Sequence, residues 1–187
     1  MMAALDGERL PTLESERARL RWLTLADAPS LFAIFSDPEV MRFWSTLPLA
    51  KLDEAEAMVE QIQAGFHAHR FYQWGIARKV DDAVIGTVSL YQVNQANRRA
   101  ELGFALARAH WGQGWAREAV GAAIAFAFSE PLDLARLEAD VDPDNHASLR
   151  LLERWGFQRE GYMRERWRVG GGVQDSVMLG LLRREWP

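Results

Sequence analysis

The chain has no cysteine among its 187 residues, which excludes disulfides, thiolate metal sites and a cysteine nucleophile. The histidines, His67, His69, His110 and His146, show no ligand spacing with carboxylates, so no metal is expected. Basic residues are not in excess. The 22 Lys+Arg against 26 Asp+Glu give a formal charge of −4, which leaves no electrostatic footprint for a nucleic-acid backbone. An amine-bearing, cationic substrate suits that sign better. The most apolar stretch, Ala119 to Phe128, is too short to cross a bilayer and follows Arg117 and Glu118, so it reads as a buried helix and no membrane partner is expected. Met1 to Leu13 carries Asp6, Glu8 and Arg9 without an apolar core. No signal peptide is expected there, and the cytoplasm is the default location. Gly/Ser/Pro-rich linkers, repeats and low-complexity tracts are also missing, which leaves one domain over residues 1–187.

What the chain does have is an ordered change of hydrophobic period. Ala18 to Leu23 reads as a strand, followed by Thr24 as N-cap with Asp27 in the reciprocal capping position. Leu25, Ala28, Leu31, Phe32 and Phe35 share a helical face, and the Asp37-Pro38 step ends that helix. Asp53 opens a second helix with Ala57, Met58, Ile62 and Phe66 inward. Phe71–Lys79 and Val84–Val93 are strand-like runs around an Asp81-Asp82 turn, and Ala100–Ala107 is a third central strand. Trp115–Phe128 is a long apolar helix. Ala135–Val141 alternates Leu137, Ala139 and Val141 against Arg136, Glu138 and Asp140, as a half-exposed strand does. His146–Trp155 is a short helix stopped by Gly156, and Phe157–Val169 with Val173–Leu182 form a last hairpin. Strands mostly adjacent in sequence, with helices at intervals, predict a mixed α/β sandwich rather than a doubly wound parallel sheet.

Between the third central strand and the long helix lies His110-Trp111-Gly112-Gln113-Gly114-Trp115-Ala116-Arg117-Glu118-Ala119. Glycines at 112 and 114 let the backbone approach a ligand closely, and the free N–H groups of the following helix favour an anion. A Walker loop is excluded, because Trp115 and Ala116 follow Gly114 where Lys-Ser/Thr is required. A dinucleotide fingerprint fails too, since Arg117 stands where a third glycine or alanine belongs.

These residues resemble the acetyl-CoA loop of the GNAT N-acetyltransferases, Arg/Gln-x-x-Gly-x-Gly/Ala. Gly114 and Ala116 match, while Trp111 stands where Arg or Gln is usual. The form Trp-Gly-Gln-Gly-Trp-Ala-x-Glu-Ala is similar to the ribosomal-protein-alanine (Rim-type) branch. Asp142-Pro143-Asp144-Asn145-His146-Ala147-Ser148 with Leu152-Glu153-Arg154-Trp155-Gly156-Phe157 resembles the family's Asn-x-x-Ser…Glu-Lys-x-Gly-Phe block. Ser36-Asp37-Pro38-Glu39-Val40-Met41 looks like the branch's acceptor region. The resemblance runs from about Ala18 to Leu182. It implies a GNAT fold, a mostly antiparallel central sheet with flanking helices, in which the strand Ala100–Leu106 splays from its neighbour and pairs with the pantetheine arm.

The resemblance further implies an acetyl-CoA-dependent transfer to a primary amine of a small molecule or a protein N-terminus, by direct attack and a tetrahedral oxyanion. A donor-binding set follows: Phe104, Ala105 and Leu106 on the strand, Gly112, Gln113, Gly114, Trp115, Ala116 and Arg117 in the loop, and Asn145, which also serves as N-cap. A backbone N–H near Leu106 is expected to hold the oxyanion. Acceptor amines are protonated at neutral pH, so a base is needed. Glu101 is the best-placed carboxylate, with Gly103 and Ala105 leaving its face open; a salt-bridged partner of Arg98 and Arg99 is the plain alternative. Glu118 reads as a helix-dipole residue. The tyrosine that many GNAT enzymes use for thiolate release is Leu152 here, so Ser148 takes that place, against a capping role. Among Trp44, Phe43, Trp74, Tyr72 and Trp167, Phe43 and Trp44 are chosen as acceptor walls because they follow the Asp-Pro break. Rival readings are a catalytically silent CoA-binding sensor and an enzyme with another acyl donor or an antibiotic acceptor. The apolar final hairpin is a candidate homodimer contact.

Overall fold

A computed structural model describes Leu5 and residues 7–186. Part of the amino-terminal reading, on Met1–Ala4 and Asp6, lies outside those residues.

Eight strands form one sheet: β1 (Leu13–Glu14), β2 (Ala18–Arg21), β3 (Tyr72–Arg78), β4 (Val84–Asn94), β5 (Arg99–Leu106), β6 (Arg136–Val141), β7 (Gln158–Val169) and β8 (Gly172–Leu182). Their order is β1-β2-β3-β4-β5-β6-β8-β7, antiparallel throughout except for the parallel pair β5–β6. The mixed, mostly antiparallel α/β sheet is the expected one. The two-residue β1 leaves no periodic signal and is found only in the fold.

Helices α4 (Trp115–Phe128) and α5 (His146–Arg154) cover one face, where Leu102, Leu106, Ala123, Ile124, Leu149 and Leu152 join one core cluster. Helices α1 (Ala28–Phe35) and α3 (Leu52–His67) cover the other, with Leu31, Ile34, Val59, Ile62 and Ala105 in a second cluster. A short helix, α2 (Pro38–Met41), starts at the Asp37-Pro38 step, with Asp37 accepting from the Glu39 amide at 2.9 Å. That step therefore ends one helix and caps the next. Asp27 takes the Thr24 amide at 2.9 Å and both terminal nitrogens of Arg21, welding β2 to α1. Two inward assignments are corrected. Leu25 is exposed and Ile34 is buried in its place; on α3 Ala57 is exposed, and Ala55 and Val59 carry the buried stripe.

The joint between β5 and β6 decides the rest. They pair only over Arg99–Glu101 against Arg136–Glu138. Beyond Glu101 the strands separate, and β5 runs on to Leu106 with one edge unpaired. The expected splay is present. The final hairpin is not uniformly apolar: β8 is buried between β6 and β7, while the outer strand β7 is exposed along most of its length and carries Arg159, Glu160, Arg164, Glu165, Arg166 and Arg168. Charge of this kind discourages edge-to-edge pairing.

Candidate active site

The unpaired edge of β5 presents backbone donors to the gap. The Ala107 amide donates to the Ile85 carbonyl of β4 at 2.8 Å, and amides alternate sides along a strand. The amides of Phe104 and Leu106 consequently point away from β4, into the gap. The Leu106 carbonyl is already taken by the indole N–H of Trp111 at 2.7 Å. Side chains alternate as well. Leu106 is buried against α4 and Ala105 against the α1/α3 layer, whereas Phe104 borders the gap.

At the far end of β5 the glycine loop leads into α4. Gly112 and Gly114 both adopt left-handed backbone (φ 72° and 87°), which residues with a Cβ adopt at a cost. Gly114 is the N-cap, with no side-chain cap bond. The first amide tied back is that of Glu118, donating to the Gly114 carbonyl at 3.1 Å. The amides of Trp115, Ala116 and Arg117 have no intrahelical acceptor and favour an anion. Arg17 holds the loop in shape: its guanidinium donates to the Gln113 carbonyl at 2.8 Å and lies 4.4 Å from the Trp115 ring centre. Glu118 accepts from the Arg17 amide and side chain and from Ser15. Burial opposes its ionisation, but these donors together hold the carboxyl below its ordinary value. Glu118 is thus a structural anchor. The Gln113 amide is spent inside the loop, donating to the Ala109 carbonyl at 2.8 Å. Arg117 is exposed, 5.7 Å from the Trp155 ring centre.

The gap opens on the α1/α3 side into a cavity of about 430 Å³. Phe43, Trp44, Phe104, Asn145 and Ser148 all line it, so five side chains named from sequence meet in one place. Asn145 accepts from the Ser148 amide at 3.2 Å and caps α5. Ser148 therefore need not cap the helix itself, and its half-buried hydroxyl makes no hydrogen bond among the described residues. Leu152 fills the tyrosine position from the core side. Tyr72 and Trp74 are core residues of the opposite face, but Trp167 does reach the cavity. A bulge in β7 between Met163 and Trp167 re-aims it, a use to which bulges near sites are put.

Glu101 requires a correction of geometry. The register from Tyr91–Glu101 to Gly86–Leu106 is unbroken, so Glu101, Gly103 and Ala105 share a face as expected. That face is not open, however. A Cβ on Gly103 would lie 3.1 Å from both Ser89 Oγ and the Tyr91 ring, because Tyr91 leans across Gly103. Glu101 is 7% exposed and stands behind the cavity wall, with Tyr91 on the wall in front. The Tyr91 phenol stands beside the Glu101 carboxylate and favours its ionised form. Burial pushes the Glu101 carboxyl up; the neighbouring Tyr91 phenol opposes this, and the negative charges of Asp140 and Glu138 add to it. Burial and the neighbouring carboxylate also raise the Tyr91 phenol. Arg98 pairs with Asp133 and Arg99 with Glu138; neither takes Glu101.

Tyr91, Ser89, Ser176 and Asp140 escape sequence reasoning. For Tyr91 the missing information is the cross-strand register. For Asp140 a signal was there but points the wrong way: it lies on the polar side of β6, yet it lines the cavity, while Arg136 and Glu138 of the same side do not. No group of three or more His, Asp or Glu side chains suited to a metal ion is present among the described residues. No helix among them is long and apolar enough to cross a membrane.

An unpaired strand edge, a helix start that favours an anion and an acidic, aromatic cavity thus lie in one continuous path. Residues 17–158 match the family described as Acetyltransferase (GNAT) domain, and the chain belongs to that family; it is an N-acetyltransferase. The uncharacterized N-acetyltransferase p20 of Bacillus licheniformis is 38% identical over 177 residues, covering 95% of this chain and 99% of that one. The structure of a Vibrio cholerae spermidine N-acetyltransferase with CoA and spermine is 25% identical, with TM-score 0.80, over 90% of this chain and 97% of that one. Mycobacterium smegmatis RimJ with CoA-disulfide, 22% identical, superposes with TM-score 0.84 over 95% of this chain and 90% of that one, a likeness of fold alone.

Proposed function

We propose that residues 1–187 form one N-acetyltransferase domain of the Rim-type branch, which moves acetyl from acetyl-CoA to a primary amine of a small molecule or a protein N-terminus. The observation that carries this reading is the continuity of the path: the α4 amides, the free edge of β5 and the acidic, aromatic cavity follow one another along a single strand. The residues fit the donor. The 112–117 loop and the Trp115–Arg117 amides suit a pyrophosphate, and the unpaired edge suits the amide groups of a pantetheine arm, with Asn145 on the facing side.

The chemistry assigned to the chain's own groups is as follows. The Phe104 and Leu106 amides donate toward the thioester oxygen as negative charge builds there. The amine nitrogen forms the new C–N bond as the C–S bond breaks. Its proton passes to the Tyr91 hydroxyl while the Tyr91 proton passes to Glu101, so the buried carboxylate acts as base through the phenol. The Ser148 hydroxyl donates to the departing sulfur, in place of the tyrosine replaced by Leu152. A rigid strand and loop supply the positioning, the largest entropic part of such a reaction. Release of free thiol from acetyl-CoA over a panel of amines and N-terminal peptides tests the reading. Turnover supports it; tight donor binding without release on any acceptor would leave the Leu152 position as the mark of a sensor. The exposed edge of β7 is the surface left for pairing two copies, and sedimentation velocity reads whether it is used.

A further inference from the structure

The cavity wall is acidic, and its one ion pair to a cation among the described residues comes from behind the wall, between Asp140 and Arg166. Asp140, Asp142 and Asp175 line it, and among the described residues no lysine or arginine does. Asp175 is committed to the β7 bulge, accepting from the Tyr162 hydroxyl at 2.6 Å and the Glu165 amide at 2.7 Å. Asp142 accepts from the Asp144 amide at 2.8 Å. Asp140 is different. Its side chain is only 6% exposed, and its Oδ2 is ion-paired with Arg166 Nε and accepts from Trp167 Nε1, each at 3.3 Å. Its Oδ1 takes no hydrogen bond among the described residues. Asp140 stands opposite Met178 in the β6–β8 register, and Ser176 lies two residues from Met178, so Asp140 and Ser176 share a sheet face. Ser176 is 1% exposed and lines the same cavity, yet its hydroxyl has no partner among the described residues.

A buried carboxylate with long contacts and a buried hydroxyl with none are both costly as they stand. One ligand group satisfies both: an ammonium, with three donors and a positive charge. An alkyl tail with no polar end would leave both groups as they are, and only a cation also answers the acidic charge of the wall. The indole of Trp167 beside them supplies an apolar wall for an alkyl chain.

We propose that the Asp140–Ser176 corner is a subsite for a second, non-reacting ammonium of the acceptor, so that the acceptor class is a flexible alkyl diamine or longer polyamine. This rests on the acetyl-transfer reading and narrows it, favouring a small dication over a protein N-terminus.

The experiment compares thiol release from acetyl-CoA with n-butylamine, 1,4-diaminobutane, 1,5-diaminopentane, a linear triamine and a peptide with a free N-terminus and uncharged side chains. At least one diamine or the triamine should exceed n-butylamine in kcat/KM by about 10-fold or more, the scale of a charge-assisted hydrogen bond. Asp140→Asn should bring that advantage toward parity through a raised KM for the dication, and Ser176→Ala should reduce it in part. Should Asp140→Asn fail to fold, the wild-type series and Ser176→Ala decide. Equal use of monoamine and diamine, preference for the peptide, or an advantage retained in Asp140→Asn overturns the subsite while leaving acetyl transfer in place. Absence of release with every amine overturns both readings together.

Discussion

Glu101 is held out of solvent beside the Tyr91 phenol, and that burial has two measurable consequences. Its carboxyl is raised chiefly by burial, so ionising it costs the folded chain. The cost is absent below the unfolded value of about 4.3 and grows as pH rises through the raised folded value. Glu101→Gln keeps the shape and removes the charge. At pH 7 its Tm should equal or exceed that of the wild type, with the difference shrinking toward pH 4 in calorimetry. Its rate should fall by about 10²-fold at neutral pH, and the loss should shrink as pH rises toward the amine's own pKa; a wild-type pH–rate profile would make Glu101 structural. Ser148 gives the complementary case. Since Asn145 caps α5, Ser148→Ala should leave the unfolding free energy within about 0.5 kcal/mol of the wild type while lowering kcat more than acetyl-CoA affinity. A drop in stability of about 1 kcal/mol with unchanged kcat would instead mark a lost cap. Sequence reasoning reached Glu101 and Ser148 because each sits at a fixed offset within a motif. It missed Tyr91 because the contact crosses strands, where only register makes neighbours.

At the level of elements, the strand–loop–helix unit from β5 through α4 was the most legible part of the chain. Trp115–Phe128 is the helix that the apolar run predicts, and both loop glycines adopt the left-handed backbone that their type suggests. The two glycines are needed for different reasons. A Cβ on Gly114 would lie 3.1 Å from the Arg17 guanidinium, so that position is constrained by space and by conformation. Around Gly112 nothing lies within 4 Å, and conformation alone constrains it. Gly112→Asn, a residue that tolerates left-handed backbone, should therefore retain acetyl-CoA affinity, whereas Gly112→Val should raise the Kd about 10-fold or more at little cost to Tm. Isothermal titration separates the two; equal affinities would show that the loop does not need its present backbone to hold the donor. The role of Arg17 in bracing this loop was invisible beforehand, because β2 and the loop are far apart in sequence and meet only through the fold.

Across the whole molecule, function depends on how far two strands stay apart. Gly86 of β4 shows how closely the sheet is set on the other side of β5: a Cβ there would overlap the Ala105 carbonyl oxygen. Gly86→Ala should push β5 toward the gap, costing about 1–3 kcal/mol as overpacking does and raising both the Kd for acetyl-CoA and the KM for amine. A chemical melt beside kinetics reads this, and a stability loss with intact kinetics would mean the gap tolerates the shift. The sequence by itself determined the order of the longer elements, the α/β class, the left-handed glycine turn and five of the side chains that line the cavity, because hydrophobic period, left-handed glycines and motif spacing are local properties. It could not determine the lining of the acceptor side. The polar face of β6 alternates like any half-exposed strand, and only the tertiary structure turns Asp140 inward, beside Ser176 from a strand far along the chain. The same holds for Tyr91 over Gly103. Side-chain parity is written in the sequence, but what faces each side is decided by which strands pair and where their pairing stops.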